Sequence, residues 1–239
     1  MDNMTAKVSC FARAYHYKNN ATVLGRSAFC ERHLQNEIRL GAEQYIIFAS
    51  GYDTFAYRNR CEKIKIFELD LPQMLAEKSS HEKESFESEP NNRVMIPCNL
   101  EHSSWKADLE KEGYRKDKKT FGSLLGITYY LEKERFRKWV ENISDCMSVG
   151  SAICLDFPCY MESEETKKNE NLAKEAGESM KAKYSIKEME EILSENGFLV
   201  YEHIGAKEMT EQYFEAYNKS TGKAMSAPLG VEYVLAVKR

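Results

Sequence analysis

The chain has 239 residues, with 34 Lys+Arg against 38 Asp+Glu and a formal net charge of −4. Its basic residues form no stripe interleaved with aromatics, which argues against a nucleic-acid partner. No apolar run approaches the roughly 20 residues of a membrane-spanning helix, and the polar N-terminal stretch lacks the apolar core of a signal peptide. A cytoplasmic protein is therefore expected, with no membrane partner. The length suits one α/β domain over 1–239 that buries roughly 70% of its unfolded surface.

Taken in order, residues 1–43 read as an N-terminal helical cap. Phe11, Ala14 and Tyr15 recur at near-helical spacing, and Phe29 to Leu40 forms a second amphipathic stretch ended by Gly41. Tyr45 to Phe48 is a short apolar run stopping at Ala49-Ser50-Gly51, the pattern of a buried strand that ends in a small-residue turn. A helix over 54–60 follows, with Asp53 or Thr54 as its cap. A second strand over 64–70 leads through Pro72 into a helix over 72–78. The polar stretch 79–92 reads as an exposed helix end and loop.

A third strand covers 93–98, and Ser103 or Ser104 caps a helix from Trp105 to Glu112. A fourth strand spans 121–127, a helix runs from Glu132 to Ser144, and a fifth strand covers 148–156. The charged segment 162–182 reads as an exposed helix or mobile insert. Ser185 caps a further helix, with Glu188 three residues on completing a capping box, and Asn196-Gly197 ends it. Strands over 198–204 and 231–237 close the chain.

This alternation predicts a doubly wound, mostly parallel seven-stranded sheet with an antiparallel pair at one edge. A ligand in such a sheet sits at the carboxyl ends of the strands, where the strand order reverses. That rule gathers Gly51, Asp70, Asn99, Leu100, Gly126 to Tyr130 and Asp156 on one rim. Asp70 stands 19 positions beyond Gly51 (70 − 51). A small-residue turn followed at this distance by an acid is how nucleotide-type ligands are gripped, the carboxylate accepting from ribose hydroxyls. A dinucleotide site would want G-x-G-x-x-G, and the single Gly51 disfavours it. The seven cysteines form no C-x-x-C pair and no Cys/His metal spacing, so no metal is expected and packing thiols are.

At these residues the sequence resembles the class I S-adenosylmethionine-dependent methyltransferases, and within them the leucine carboxyl methyltransferase-like O-methyltransferases. The family's G-x-G-x-D-T-x-x-x-R stands here as Ala49-Ser50-Gly51-Tyr52-Asp53-Thr54-Phe55-Ala56-Tyr57-Arg58, and its E-x-D-x-P as Glu68-Leu69-Asp70-Leu71-Pro72. Asn99-Leu100 and Tyr130-Leu131-Glu132-Lys133-Glu134 match further elements. Ala49 replaces a glycine, Asn99 an acid, and Leu125 a glutamate. The segment between Tyr17 and Leu24 is shorter than in relatives, which implies an open site or a missing lid.

The resemblance implies S-adenosyl-L-methionine as cofactor and methyl transfer to a carboxylate or hydroxyl of a small acceptor. By implication Ala49, Ser50, Gly51 and Asp53 line the methionine part, and Asp70 takes the ribose hydroxyls. Asn99 and Leu100 border the adenine, Leu71 and Gly126 belong to the same site, and Lys7 and Arg26 reach the cofactor carboxylate. Tyr129, His16 and Asp156 are the catalytic candidates, with His203 a further base. An ionised carboxylate acceptor would need no base, whereas a hydroxyl would. Two alternatives stay open: a binding protein that has lost turnover, and a nucleotide-dependent oxidoreductase.

Overall fold

A computed structural model describes residues 22–59, 61–164, 166–167, 171, 174 and 179–239. The strands are β1 (Gln44–Phe48), β2 (Lys65–Asp70), β3 (Arg93–Pro97), β4 (Thr120–Leu124), β5 (Ala152–Pro158), β6 (Phe198–Ile204) and β7 (Val231–Lys238). The helices are α1 (Thr22–Arg39), α2 (Phe55–Arg58), α3 (Pro72–Ser85), α4 (Trp105–Lys111), α5 (Lys133–Cys146), α6 (Ile186–Glu195), α7 (Ala206–Tyr213) and α8 (Glu215–Thr221).

The strands form one sheet in the order β3-β2-β1-β4-β5-β7-β6. The pairings β3–β2, β2–β1, β1–β4 and β4–β5 are parallel, and β7 runs antiparallel to both β5 and β6. The strand order reverses between β1 and β4, so the crevice that a doubly wound sheet offers a ligand opens at their carboxyl ends. The antiparallel pair lies at the expected edge, but β7 sits one strand in and β6 is outermost. Two helices, α7 and α8, fill the long connection between them.

Both faces of the sheet are covered, which explains why β1 is apolar throughout rather than alternating. Ile46 and Phe48 pack with Phe67, Leu69, Trp105, Phe136 and Ile143 on one side, the side of α4, α5 and α6. Tyr45 and Ile47 pack with Phe29, Leu34, Phe55, Ile66 and Met209 on the other, the side of α1, α2 and α7. A large side chain such as Phe136, 0% exposed, contributes roughly 1.5–3 kcal/mol through this burial.

Local signals held where they were backbone chemistry. The Ser185 hydroxyl accepts from the Glu188 amide at 3.2 Å, and the Glu188 carboxylate accepts from the Ser185 amide at 2.8 Å. Pro72 sits at the start of α3, where its missing N–H costs nothing. Helix α3 runs seven residues past the expected end at Lys78, to Ser85. Within 79–85 only Glu82 is buried, so this stretch is the exposed helix end that was expected, and the chain leaves the helix at Phe86. The fourth strand stops at Leu124, since Gly126 takes a left-handed φ of +71° and turns the chain off the sheet. Among the described residues no helix is long and apolar enough to cross a membrane.

Candidate active site

The first half of the site is the turn after β1. Ser50 N donates to Leu69 O at 3.1 Å, tying the turn to β2, and Asp53 N donates to Ser50 O at 2.9 Å. Gly51 takes a φ of +49°, and Ala49 takes +52° despite its side chain. Ala49 is the residue that replaces the family's glycine, so the left-handed backbone is kept at the cost of steric strain. Asp53 Oδ1 accepts from Phe55 N at 2.6 Å and starts α2. Arg58 closes the signature by reaching out of it. Its guanidinium donates to Glu31 on α1 at 2.8 and 3.0 Å, fastening the helix that carries Arg26.

Asp70 lies at the tip of β2 and is 8% exposed, with its carboxylate turned toward the turn. Oδ2 accepts from Gly51 N at 2.7 Å and Oδ1 from Leu71 N at 2.7 Å. Burial pushes this carboxyl above the ordinary aspartate value, against the pull of the two amides and of Lys78. A carboxylate has about four acceptor directions, so each oxygen keeps capacity for a ligand hydroxyl. Leu71 beside it is 47% exposed. Asn99 is exposed at the end of β3, and its Oδ1 accepts from Glu101 N at 2.9 Å. The Leu100 side chain is in the core instead, and its carbonyl accepts from the Trp139 indole.

The second half forms around Asp156, near the carboxyl end of β5 and 1% exposed. Oδ1 accepts from Gly126 N at 2.6 Å, and Oδ2 accepts from the Tyr129 hydroxyl at 3.0 Å. Arg26 Nη1 lies 3.6 Å from the same Oδ2. Any Cβ at position 126 would stand 2.7 Å from Arg26 Nη1, so glycine there makes room for the guanidinium. Burial and the neighbouring Asp156 push the Tyr129 phenol well above its ordinary pKa, keeping its proton on. Burial works against the Arg26 charge, but Asp156 and the nearby tyrosines outweigh it and hold the group protonated.

The structure thus brings Ala49, Ser50, Gly51, Asp53, Asp70 and Leu71 together, and separately Arg26, Gly126, Tyr129 and Asp156, both at the carboxyl ends of the parallel strands. Lys7, His16 and the segment from Tyr17 to Ala21 lie outside the described residues. His203 stands at the sheet edge, 2.9 Å from Glu232. Tyr233, directly across from Asp156 on β7, escaped sequence reading, as did the Glu31 partner of Arg58. Both depend on pairings between distant parts of the chain. Among the described residues, no cluster of three or more His, Cys, Asp or Glu could hold a metal ion.

An amino-acid-bearing nucleoside fits these groups. Arg26 Nε and Ser50 Oγ are buried polar atoms with no partner among the described residues. A buried donor left unpaired costs about 1–3 kcal/mol, so such atoms point to a ligand.

The family described as leucine carboxyl methyltransferase matches residues 9–144. The chain is 30% identical over 226 residues to YktD of Bacillus subtilis (strain 168), provisionally named an S-adenosyl-L-methionine-dependent methyltransferase. That match covers 91% of this chain and 73% of YktD. Among solved structures, a DUF574 family protein from Streptomyces avermitilis superposes with a TM-score of 0.70 at 13% identity, over 92% of this chain and 84% of that one. Magnesium protoporphyrin IX methyltransferase from Synechocystis PCC 6803, solved with bound S-adenosylhomocysteine, superposes at 0.58 with 9% identity, over 91% and 85%. These two likenesses concern the fold. The family match and the YktD identity show that the chain belongs to the leucine carboxyl methyltransferase family of S-adenosylmethionine-dependent methyltransferases.

Proposed function

We propose that the protein is an O-methyltransferase acting on the carboxylate or acidic hydroxyl of a small-molecule acceptor. The observation that carries the reading is the Asp70 carboxylate bridging the Gly51 and Leu71 amides at the point where the strand order reverses. S-adenosylmethionine, when bound, supplies an electrophilic methyl group on a sulfonium. Asp70 would accept from its ribose hydroxyls, Leu71 would lie against its base, and Arg26 would hold its carboxylate from the other half of the site. The rest is positioning: in-line displacement needs the acceptor oxygen held against the methyl with water excluded.

Asp156 and Tyr129 enter as positioning groups. Both Asp156 oxygens are engaged, one by Gly126 N and the other by Tyr129 and Arg26, and Tyr129 spends its proton on Asp156. Tyr129, which keeps its proton directed at Asp156, has no role as a base, which favours an acceptor that arrives ionised or nearly so. The test is transfer of labelled methyl to a panel of small carboxylic acids and phenols, followed by mild alkali. Label lost as methanol marks an ester and label retained marks an ether; either product supports the reading. Binding of S-adenosylhomocysteine with no transfer to any member would refute it in favour of a binding protein.

A further inference from the structure

Beneath the Asp70 turn lies a second set of charges. Glu68, two residues before Asp70 on β2, is 0% exposed, and Lys78 on α3 is 1% exposed. Lys78 Nζ donates to Glu68 Oε2 at 2.6 Å. Arg93 on β3 donates to both oxygens of Glu82 on α3, at 2.9 and 2.8 Å, and its Nη1 lies 3.8 Å from Glu68 Oε2. Lys78 and Glu82 close the ring at 4.0 Å. Arg93 also donates to the Tyr57 hydroxyl at 3.3 Å, and the Tyr57 ring stacks on Phe86 at 3.8 Å, at the end of α3.

Two cations and two carboxylates balance, yet burying them is a poor way to gain stability. Well-packed apolar side chains of similar volume often serve as well or better. Glu68 Oε1 has no hydrogen-bond partner among the described residues, so the cost of burying this carboxylate is only partly met. What the ring does accomplish is geometric. It bolts both ends of the chain segment that presents Asp70: the strand before it through Glu68, and the helix after it through Lys78 and Glu82. Arg93 anchors both to β3.

We propose that the Glu68–Lys78–Glu82–Arg93 ring positions the β2–α3 turn, with Lys78 and Glu68 as positioning residues that hold Asp70 and Leu71 in cofactor-binding geometry. The proposal rests on the methyltransferase reading above and adds a role for residues that do not touch the cofactor. Lys78 also pulls the Asp70 carboxyl toward its ionised form. Lys78 on α3 and Cys98 just after β3 are the titratable groups that interact with Asp70 itself, while Arg93 on β3 and Asp53 in the turn after β1 act on Glu68, and Glu82 on α3 pairs with Lys78 and Arg93.

The test titrates S-adenosylhomocysteine into the full chain and into the double variant Glu68→Leu/Lys78→Met. The double variant removes one charge of each sign and leaves the Glu82–Arg93 pair intact. The expected result is a cooperative melt near that of the natural chain, with Kd raised about tenfold, the scale on which outer partners act on a site. The pH at which affinity is lost on acidification should also move upward, because Asp70 has lost its nearby lysine. A purely structural ring would not move that profile. Should the double variant fail to melt cooperatively, Glu68→Gln takes its place and should raise Kd at least threefold. An unchanged Kd and pH profile in a folded variant overturns the proposal. No binding by the natural chain would instead overturn the methyltransferase reading itself.

Discussion

Replacing Asp70 with Asn separates two roles of one side chain. The natural carboxylate accepts from Gly51 N and Leu71 N, both at 2.7 Å. Asparagine offers one oxygen and one NH2, so one of those amides faces a donor instead of an acceptor. A buried donor stripped of its partner costs about 1–3 kcal/mol. For a chain of this size 1 kcal/mol moves Tm by roughly 2–4 °C, so the ligand-free variant should melt roughly 2–12 °C lower. Hydrogen bonds to a charged group are worth about 1.5–3 kcal/mol, and their loss should raise the S-adenosylhomocysteine Kd roughly 10- to 150-fold.

Acid should imitate the variant. Burial holds the Asp70 carboxyl above the ordinary aspartate value, so its protonation, and with it the loss of cofactor affinity, begins at a higher pH than for an exposed aspartate. The assays are thermal unfolding without ligand and isothermal titration at several pH values. A variant that melts lower yet binds S-adenosylhomocysteine as tightly as the natural chain would reduce Asp70 to a turn lock and refute the reasoning.

Three further outcomes are expected. Asp156→Asn strands the Arg26 guanidinium without its buried counter-charge, and should cost about 3 kcal/mol in urea unfolding; a change below 1 kcal/mol would mean the 3.6 Å pair is not holding Arg26. Ala49→Gly should release roughly 1–2 kcal/mol of left-handed strain against about 0.5–1 kcal/mol of added unfolded-chain freedom, for a small rise in Tm. A fall in Tm would show that the Ala49 methyl packs well enough to outweigh its φ of +52°. His33 is buried, and burial, then Arg32, push its pKa down to about 4, against Glu202. The unfolded chain therefore takes up protons first, and the stability His33 contributes is fully present above about 6.5 and lost as pH falls toward about 4. Urea midpoints at pH 7 and pH 5 should differ more for the natural chain than for His33→Phe, and equal differences would exclude His33 as a source of the acid sensitivity.

What could be read from the sequence was what adjacent residues decide. The apolar run 45–48, the turn at Gly51 and the acid 19 positions on were enough to set Asp70 opposite that turn, because strand period and turn chemistry are local. The Ser185 capping box held for the same reason. The burial of Lys78 and Glu82 was not legible, since both look like a solvated face unless one knows that Glu68 and Arg93 lie beneath them. Arg26 and Asp156 are 130 positions apart, and their pairing is a property of the assembled sheet. Asn99 and Leu100 are adjacent in the chain yet part company, one exposed on the rim and the other in the core, because the chain turns there, with His102 N donating to Asn99 O at 3.1 Å. The position of β7 inside β6 likewise depends on which edge the last strand finds free.

The most direct test is isothermal titration of S-adenosylhomocysteine into the full chain at neutral pH, repeated with Asp70→Asn. One saturable site in the natural chain, weakened by at least tenfold in the variant, is the predicted outcome. Absence of any saturable heat from the natural chain, confirmed by an unchanged melting temperature with excess ligand, would contradict it.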